Sequence, residues 1–447
     1  MGHSLRMASP RAEGIKQRKG ARSRWRRRLT AMGPGLVTGA SDDDPSGIAT
    51  YAQAGAQYHF GLLWLALISF PLMFAVQEIC DRTALSTGRN LGEIVVDRFD
   101  RTWRVILGAM LVLLIGANAF NIAADLVAVG AGMHLLHAGP PALWAAVAGL
   151  SISLLVVLGS FEVVARVCKF LCLALLAYVA VLFFLHIGWA DVIAGLLVPH
   201  VQATRAYVAL VVAVLGTTIS PYLFFWQSEH RVEQLREDPI GGKRAVPITR
   251  RPAAQAREKQ RESRLDVFSG MALSQVVMFA IIVTTAVALH RSGVTVTSAA
   301  QAASALRPVA GSASATLFAL GFVGAGFLAV PVLAGSASGA LAGMLRQQWG
   351  YSRQPRHAAV FYGLVALGTV GGTALTTLSV NPIALLVVAA LVNGLAAAPF
   401  LVLVMVISRD RDIMGPYANG RWANAFGWLT VAIMTVSALL LVVTGAT

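Results

Sequence analysis

The sequence predicts an all-α integral membrane protein of about eleven transmembrane helices, arranged as two inverted five-helix repeats in which helices 1 and 6 are broken. Three observations predict it. The 447-residue chain is 56% hydrophobic and only 13% charged, where soluble chains carry about 25% charged residues, and its mean hydropathy is +0.67. Apolar runs long enough to cross a bilayer recur along the chain with short polar gaps. Two of those runs, five helices apart, are interrupted by proline and polar residues.

The apolar runs cover 32–57, 61–83, 104–134, 142–160, 165–189, 206–229, 267–290, 313–343, 358–378, 382–407 and 422–445. Positive charge gathers in the loops after even-numbered runs: Arg82, Arg89, Arg98 and Arg101, then Arg166 and Lys169, then Arg346, Arg353 and Arg356, then Arg409, Arg411 and Arg421. Opposite loops carry little beyond Arg205, Arg291 and Arg307. This asymmetry puts the amino terminus in the cytosol, the carboxyl terminus outside, and the chain in the cytoplasmic membrane.

The formal charge of +15 is therefore read as topology facing membrane lipid, with no nucleic-acid partner. Residues 1–31 form a basic tail, expected to be cytosolic and disordered. Apolar runs with an acidic break follow it, which argues against a cleaved leader. Cys80, Cys168 and Cys172 are too few and too poorly spaced for a disulfide framework or zinc site. The basic stretch 230–265, with Pro239, Pro247 and Pro252, reads as a mobile cytosolic linker. Nothing in the sequence indicates an oligomeric state.

The five-helix offset fixes the organisation: a second copy of an odd-numbered unit enters the membrane upside down. Residues 32–189 form the first repeat, 206–407 the second including the linker, and 422–445 an added eleventh helix. Both breaks then face each other near mid-depth.

The first break runs through Ala40-Ser41-Asp42-Asp43-Asp44-Pro45-Ser46-Gly47 and the second through Gly216-Thr217-Thr218-Ile219-Ser220-Pro221. A break inside the bilayer frees backbone carbonyls that cost several kcal/mol unless they line a site. Three consecutive carboxylates make that site attractive to a cation. Asp44 is the expected ligand, holding a dication beside the positive end of a half-helix that resumes at Ile48, while Asp42 and Asp43 either ligate or line a water-filled vestibule that concentrates cations. Thr217, Thr218 and Ser220 oxygens complete an oxygen-rich cage. Asp125, deep in the third run, reads as part of an ion or proton path or as a structural carboxyl. Asn393 reads as an interhelical hydrogen-bonding group or a ligand. Gly33, Gly35 and Gly39 either loosen the first helix or let it pack closely.

With these residues in view, the chain resembles the Nramp divalent-metal transporters. Gly33-Pro34-Gly35 followed by Asp44-Pro45-Ser46-Gly47-Ile48-Ala49-Thr50 is similar to that family's first helix, whose motif reads Asp-Pro-Gly-Asn. The likeness continues in Arg82, in Thr87-Gly88-Arg89-Asn90-Leu91-Gly92-Glu93, in Ala124-Asp125-Leu126, in Gly216 to Pro221, and in Met414-Gly415 with Arg421-Trp422. It implies a leucine-transporter-like fold and a metal site in which Asp44 is the family's ligating Asp and Gly47 stands at its Asn. Thr217 supplies the backbone carbonyl, and Ser220 stands at its thioether Met.

Two of those four positions depart from the family, and the loss of sulfur removes the donor that favours transition metals over calcium and magnesium. The family's sixth-helix His residues correspond to Tyr222 and Gln227, and its third-helix Glu to Ala128. Proton coupling would then fall to the Asp cluster or Asp125.

The expected function is a secondary transporter, not an enzyme, moving manganese- or iron-type divalent cations by alternating access, with proton symport left as an open option, and needing no cofactor beyond the metal ion as substrate. The alternative is a magnesium uniporter like the Nramp-related magnesium transporters, which an all-oxygen cage suits. From other classes, an amino-acid transporter of the same fold would find its carboxylate repelled by three Asp. An intramembrane aspartyl protease would need a Gly-x-Gly-Asp sequence, which is missing.

Overall fold

A computed structural model describes residues 34–158, 176–241, 244–290, 296, 298–307, 311–376 and 381–444. Its helices, in chain order, begin with the two halves of the first run, α1 (Pro34–Asp42) and α2 (Pro45–Tyr58). Then follow α3 (Trp64–Thr87), α4 (Leu91–Arg98), α5 (Arg101–Leu135), α6 (Pro141–Leu158), α7 (Leu176–Val181) and α8 (Trp189–Leu197). The second half of the chain supplies α9 (Arg205–Thr218), α10 (Pro221–Glu237), α11 (Ala253–Leu289), α12 (Ala299–Ser304), α13 (Ser314–Met344), α14 (Ala359–Leu375), α15 (Pro382–Arg409), α16 (Arg411–Met414) and α17 (Arg421–Thr444).

Among the described residues, seven helical stretches are long and apolar enough to cross a membrane, α9 and α10 counting as one, and α6 and α14 are shorter apolar helices. With the split first run these account for ten of the eleven expected crossings. The first part of the fifth run, residues 165–175, lies outside the described residues, as do the tail 1–31, Gly33, Cys168 and Cys172. Cys80 is buried and free.

Local chemistry sets the helix ends. Asn90 and Glu93 form a reciprocal capping box on α4, and Gly88 ends α3 in the left-handed conformation. Asp100 caps α5, and Asn381 caps α15 ahead of Pro382 at its first position.

Helices α5, α6, α13 and α14 pack on one another as a scaffold. Against it lie α1 and α2, which pack along α11, and α9 and α10, which pack on α15 and α3 respectively. The glycines of α1 are packing devices: a Cβ on Gly35 would lie 2.5 Å from the Val267 backbone, and one on Gly39 would collide with Gly270. Of the two readings of these residues, the structure supports close approach, since α1 is helical up to Asp42.

The stretch 230–265, expected as a mobile linker, is helical over most of its length. Helix α10 continues to Glu237 and α11 begins at Ala253. The reason is local neutralisation of its basic residues. Arg231 pairs with Asp81 (2.6 Å) and Asp266 (3.2 Å), Arg251 and Lys259 share Asp238, and Arg264 pairs with Glu78.

Candidate functional site: two facing helix breaks

Both breaks are shorter than the sequence suggests. The first is confined to Asp43 and Asp44, because α2 resumes at Pro45 rather than at Ile48. The second is Ile219 and Ser220, with Pro221 at the first position of α10. A proline there needs no amide partner, so each proline starts the second half-helix while preventing continuation of the first.

Asp44 is the N-cap of α2. Its Oδ1 accepts from the Gly47 amide (2.8 Å) and from the Ser46 hydroxyl (2.6 Å), and its Oδ2 accepts from the Tyr222 hydroxyl at 3.3 Å. The carboxylate therefore lies on the positive end of the half-helix, where its charge is favoured. The same Tyr222 hydroxyl also reaches the Ser41 carbonyl at 3.4 Å.

The helix ends that flank the two breaks touch. Ser46 Oγ lies 3.2 Å from Thr217 Oγ1, and a Cβ on Gly47 would stand 3.3 Å from both Thr217 Oγ1 and the Asp42 carbonyl. The Asn-to-Gly departure thus leaves a narrow slot at the junction, and Asp44, Thr217 and Ser220 are all at most 1% exposed.

The acidic triplet fans out. Asp42 and Asp43 turn to α11, where Ser274 Oγ donates to Asp42 Oδ2 (2.6 Å) and reaches Asp43 Oδ1 at 3.3 Å. Among the described residues, no three His, Cys, Asp or Glu converge in metal-binding geometry. Nor does any Lys, Arg or His pair with Asp42, Asp43 or Asp44. Three buried carboxylates thus stand without a basic partner, an arrangement that calls for a cation.

The remaining expected residues divide. Ser220 donates back to the end of the preceding half-helix α9, to the Gly216 carbonyl (2.7 Å) and the Thr217 carbonyl (2.9 Å). The Thr217 carbonyl, the expected backbone ligand, is therefore engaged in this conformation. Thr218 likewise bonds back to the Val214 carbonyl. Gln227 stands apart from the breaks: it accepts from Thr38 and donates to Asp81 Oδ1 at 2.7 Å, joining the Arg231 network at the arginine-rich end.

Asp125 is fully buried and neither of its oxygens has a hydrogen-bond partner. A Cβ on Gly326 would lie 3.4 Å from the Asp125 carbonyl and 3.8 Å from Pro45 Cγ, so the Asp125 turn adjoins the start of α2. Asn393 exchanges two 3.1 Å hydrogen bonds with Asn121, which matches the interhelical reading. Ser274 and Asn121 were not singled out in the sequence. Asn121 lies one turn before Asp125 on the same face, a usable signal, whereas Ser274 is an ordinary serine in an apolar run.

A bundle of membrane helices with two broken spans meeting over buried, unpaired carboxylates defines a multi-pass membrane protein of the broken-helix transporter class. Residues 35–444 match the Nramp family, described as natural resistance-associated macrophage protein-like. The chain belongs to that family. It is 27% identical over 434 residues to a Klebsiella pneumoniae protein named divalent metal cation transporter MntH, covering 96% of each chain. It is 29% identical over 441 residues to a Ralstonia nicotianae protein of the same name, covering 94% of this chain and 91% of that one.

The fold is similar to that of the Eremococcus coleocola manganese transporter, at a TM-score of 0.69 and 18% identity, covering 93% of this chain and 87% of that chain. It is also similar to MhsT in complex with L-phenylalanine, at a TM-score of 0.55 and 15% identity, covering 93% and 97%. The leucine-transporter-like architecture is therefore shared beyond the family.

Proposed function

We propose that this chain moves divalent metal cations across the cytoplasmic membrane by alternating access, with the ion held between the two breaks. The observation that carries this reading is the set of buried carboxylates that lack any basic partner, among which Asp44 reaches the second half-helix pair through the Tyr222 hydroxyl. The names of the similar MntH proteins agree with it.

Asp44 is the indispensable ligand. Around it the Ser46 and Thr217 hydroxyls, and the Thr217 carbonyl once Ser220 releases it, supply neutral oxygens. Gly47 contributes space rather than a ligand. Asp42 and Asp43 add negative potential toward α11, which raises the local cation concentration. Asp125, with both oxygens unengaged, is the carboxylate available to carry a proton next to the site.

In this conformation the site is closed on both sides, since its ligands are all buried. Transport requires α1, α2, α9 and α10 to tilt against the scaffold of α5, α6, α13 and α14, opening one side at a time. The inverted repeats 32–189 and 206–407 make the two openings related motions, with 422–445 as an addition. The amino terminus is cytosolic and the carboxyl terminus extracytoplasmic.

One observation favours magnesium as the second reading. Every candidate donor at the junction is oxygen, and Ser220 stands where the family places its thioether, so nothing soft discriminates against a hard ion. Proteoliposome uptake of manganese, magnesium and calcium, recorded with an internal pH dye, tests both. Manganese uptake with acidification supports the first reading, magnesium uptake without it supports the second, and no divalent flux overturns both.

A further inference from the structure

A second charged feature lies at the arginine-rich end of the bundle, away from the helix breaks. Between the α3–α4 turn, the end of α10 and the segment after α13 is a cavity of about 450 Å³ lined by Arg89, Arg236, Arg346 and Arg353 against Glu93 and Asp97. That volume falls within the range of small-ligand pockets, roughly 300–1,000 Å³. We propose that this cavity binds a phosphate-bearing anion, either a soluble phosphate or the headgroup of an anionic lipid.

The two carboxylates are already committed. Asp97 accepts from Arg89 Nη1 (2.6 Å) and Arg346 Nη2 (3.2 Å). Glu93 closes the α4 capping box and accepts from Trp349 Nε1 at 2.9 Å. The lining therefore keeps a formal surplus of two positive charges, four arginines against two carboxylates. Glu233, which takes the Ser352 amide at 2.9 Å, and Glu229 lie buried behind Arg236, and neither lines the cavity.

Arg236 is held for the task. Its guanidinium lies 4.1 Å from the centre of the Trp349 ring, and its Nη1 donates to the Trp349 carbonyl at 3.0 Å. A guanidinium fixed by stacking presents its remaining N–H groups at a set angle, the geometry that suits planar, two-point recognition of phosphate oxygens. Arg353 makes no ion pair among the described residues. The Gln347 and Gln348 side chains, both exposed on the rim, offer neutral donors.

The placement gives the ligand a consequence, which rests on the transport reading above. Arg236 ends α10, the helix that carries Tyr222 at its other end, whereas Arg346 and Arg353 follow α13 of the scaffold. An anion bridging them would tie the moving helix to the scaffold.

Binding is tested on the full chain in phosphatidylcholine nanodiscs, by the unfolding temperature, so the outcome does not depend on transport. One arm titrates inorganic phosphate against sodium chloride at matched ionic strength, and a second replaces part of the lipid with phosphatidylglycerol. A saturable rise in at least one arm is expected, with Arg353→Gln and Arg236→Gln each weakening the apparent affinity at least tenfold and Arg101→Gln, an exposed control, leaving it unchanged. A response to phosphate alone assigns the site to a soluble anion; one to phosphatidylglycerol alone assigns it to a headgroup. No response in either arm, or a response that survives both cavity substitutions, overturns the proposal.

Discussion

Replacing Arg231 by Gln should destabilise the protein more than replacing its partner Asp81 by Asn, and the asymmetry can be worked from the contacts. Arg231 Nε lies 2.6 Å from Asp81 Oδ1 and its Nη2 lies 3.2 Å from Asp266 Oδ2. The Arg231 and Asp81 side chains are 4% and 1% exposed. Removing one member of a buried pair costs roughly 3–5 kcal/mol, because a charge is left uncompensated. Arg231→Gln strands two carboxylates, although Gln227 and Ser263 still donate to Asp81 and the Gly35 amide still donates to Asp266 at 2.9 Å. Those surviving bonds place the cost at the lower end, about 3 kcal/mol. Asp81→Asn leaves the guanidinium with Asp266, so its cost should be about 1–2 kcal/mol. The double variant buries no new unpaired charge at Asp81 and should fall short of additivity by about 2 kcal/mol. Reversible unfolding in mixed detergent, extrapolated to zero denaturant, measures all three. A larger loss for Asp81→Asn than for Arg231→Gln, or strict additivity, would refute this account of how α1, α3, α10 and α11 are held together.

Other consequences follow from the site and its packing. Asp44→Asn keeps the Oδ1 that caps α2, so it should abolish divalent flux at near-native stability, while Asp44→Ala should lose the flux and a further ~1 kcal/mol of capping energy; uptake assays paired with unfolding curves check both. Gly39→Ala puts a methyl group into the Gly270 backbone and should cost about 1–3 kcal/mol through displacement of α1 from α11, visible as a lowered unfolding midpoint. Ser220→Met removes the hydroxyl bonded to the Gly216 and Thr217 carbonyls and introduces a soft donor. The ratio of cadmium or manganese to magnesium flux should rise, and an unchanged ratio means that position 220 does not face the ion.

Hydropathy made the crossings legible because each must satisfy its backbone internally over a bilayer's thickness. Pro45 and Pro221 made the breaks legible because neither can extend the helix before it. The sequence overestimated the width of both breaks: a side-chain cap such as Asp44 lets the next half-helix start at once, and that contact is invisible as a string of letters. Density of charge misled at 230–265, where Arg231 and Arg264 find Asp81 and Glu78 from a helix some 150 residues away in sequence or more. The same long-range pairing drew Gln227 into the Asp81 network. Ser274 shows the limit most plainly, since only the crossing of α1 and α11 gives an unexceptional serine two carboxylates to bridge.

The central claim is that the Asp44 carboxylate, set against the second break, holds a dication. Even at the dielectric of bulk water, a unit negative charge about 2.2 Å from a dication contributes roughly 4 kcal/mol, several hundredfold in affinity. Electron paramagnetic resonance of free manganese counts bound ions directly in purified protein. The account predicts saturable binding by the native chain that disappears in Asp44→Asn while the fold persists; unchanged stoichiometry and affinity in that variant would contradict it.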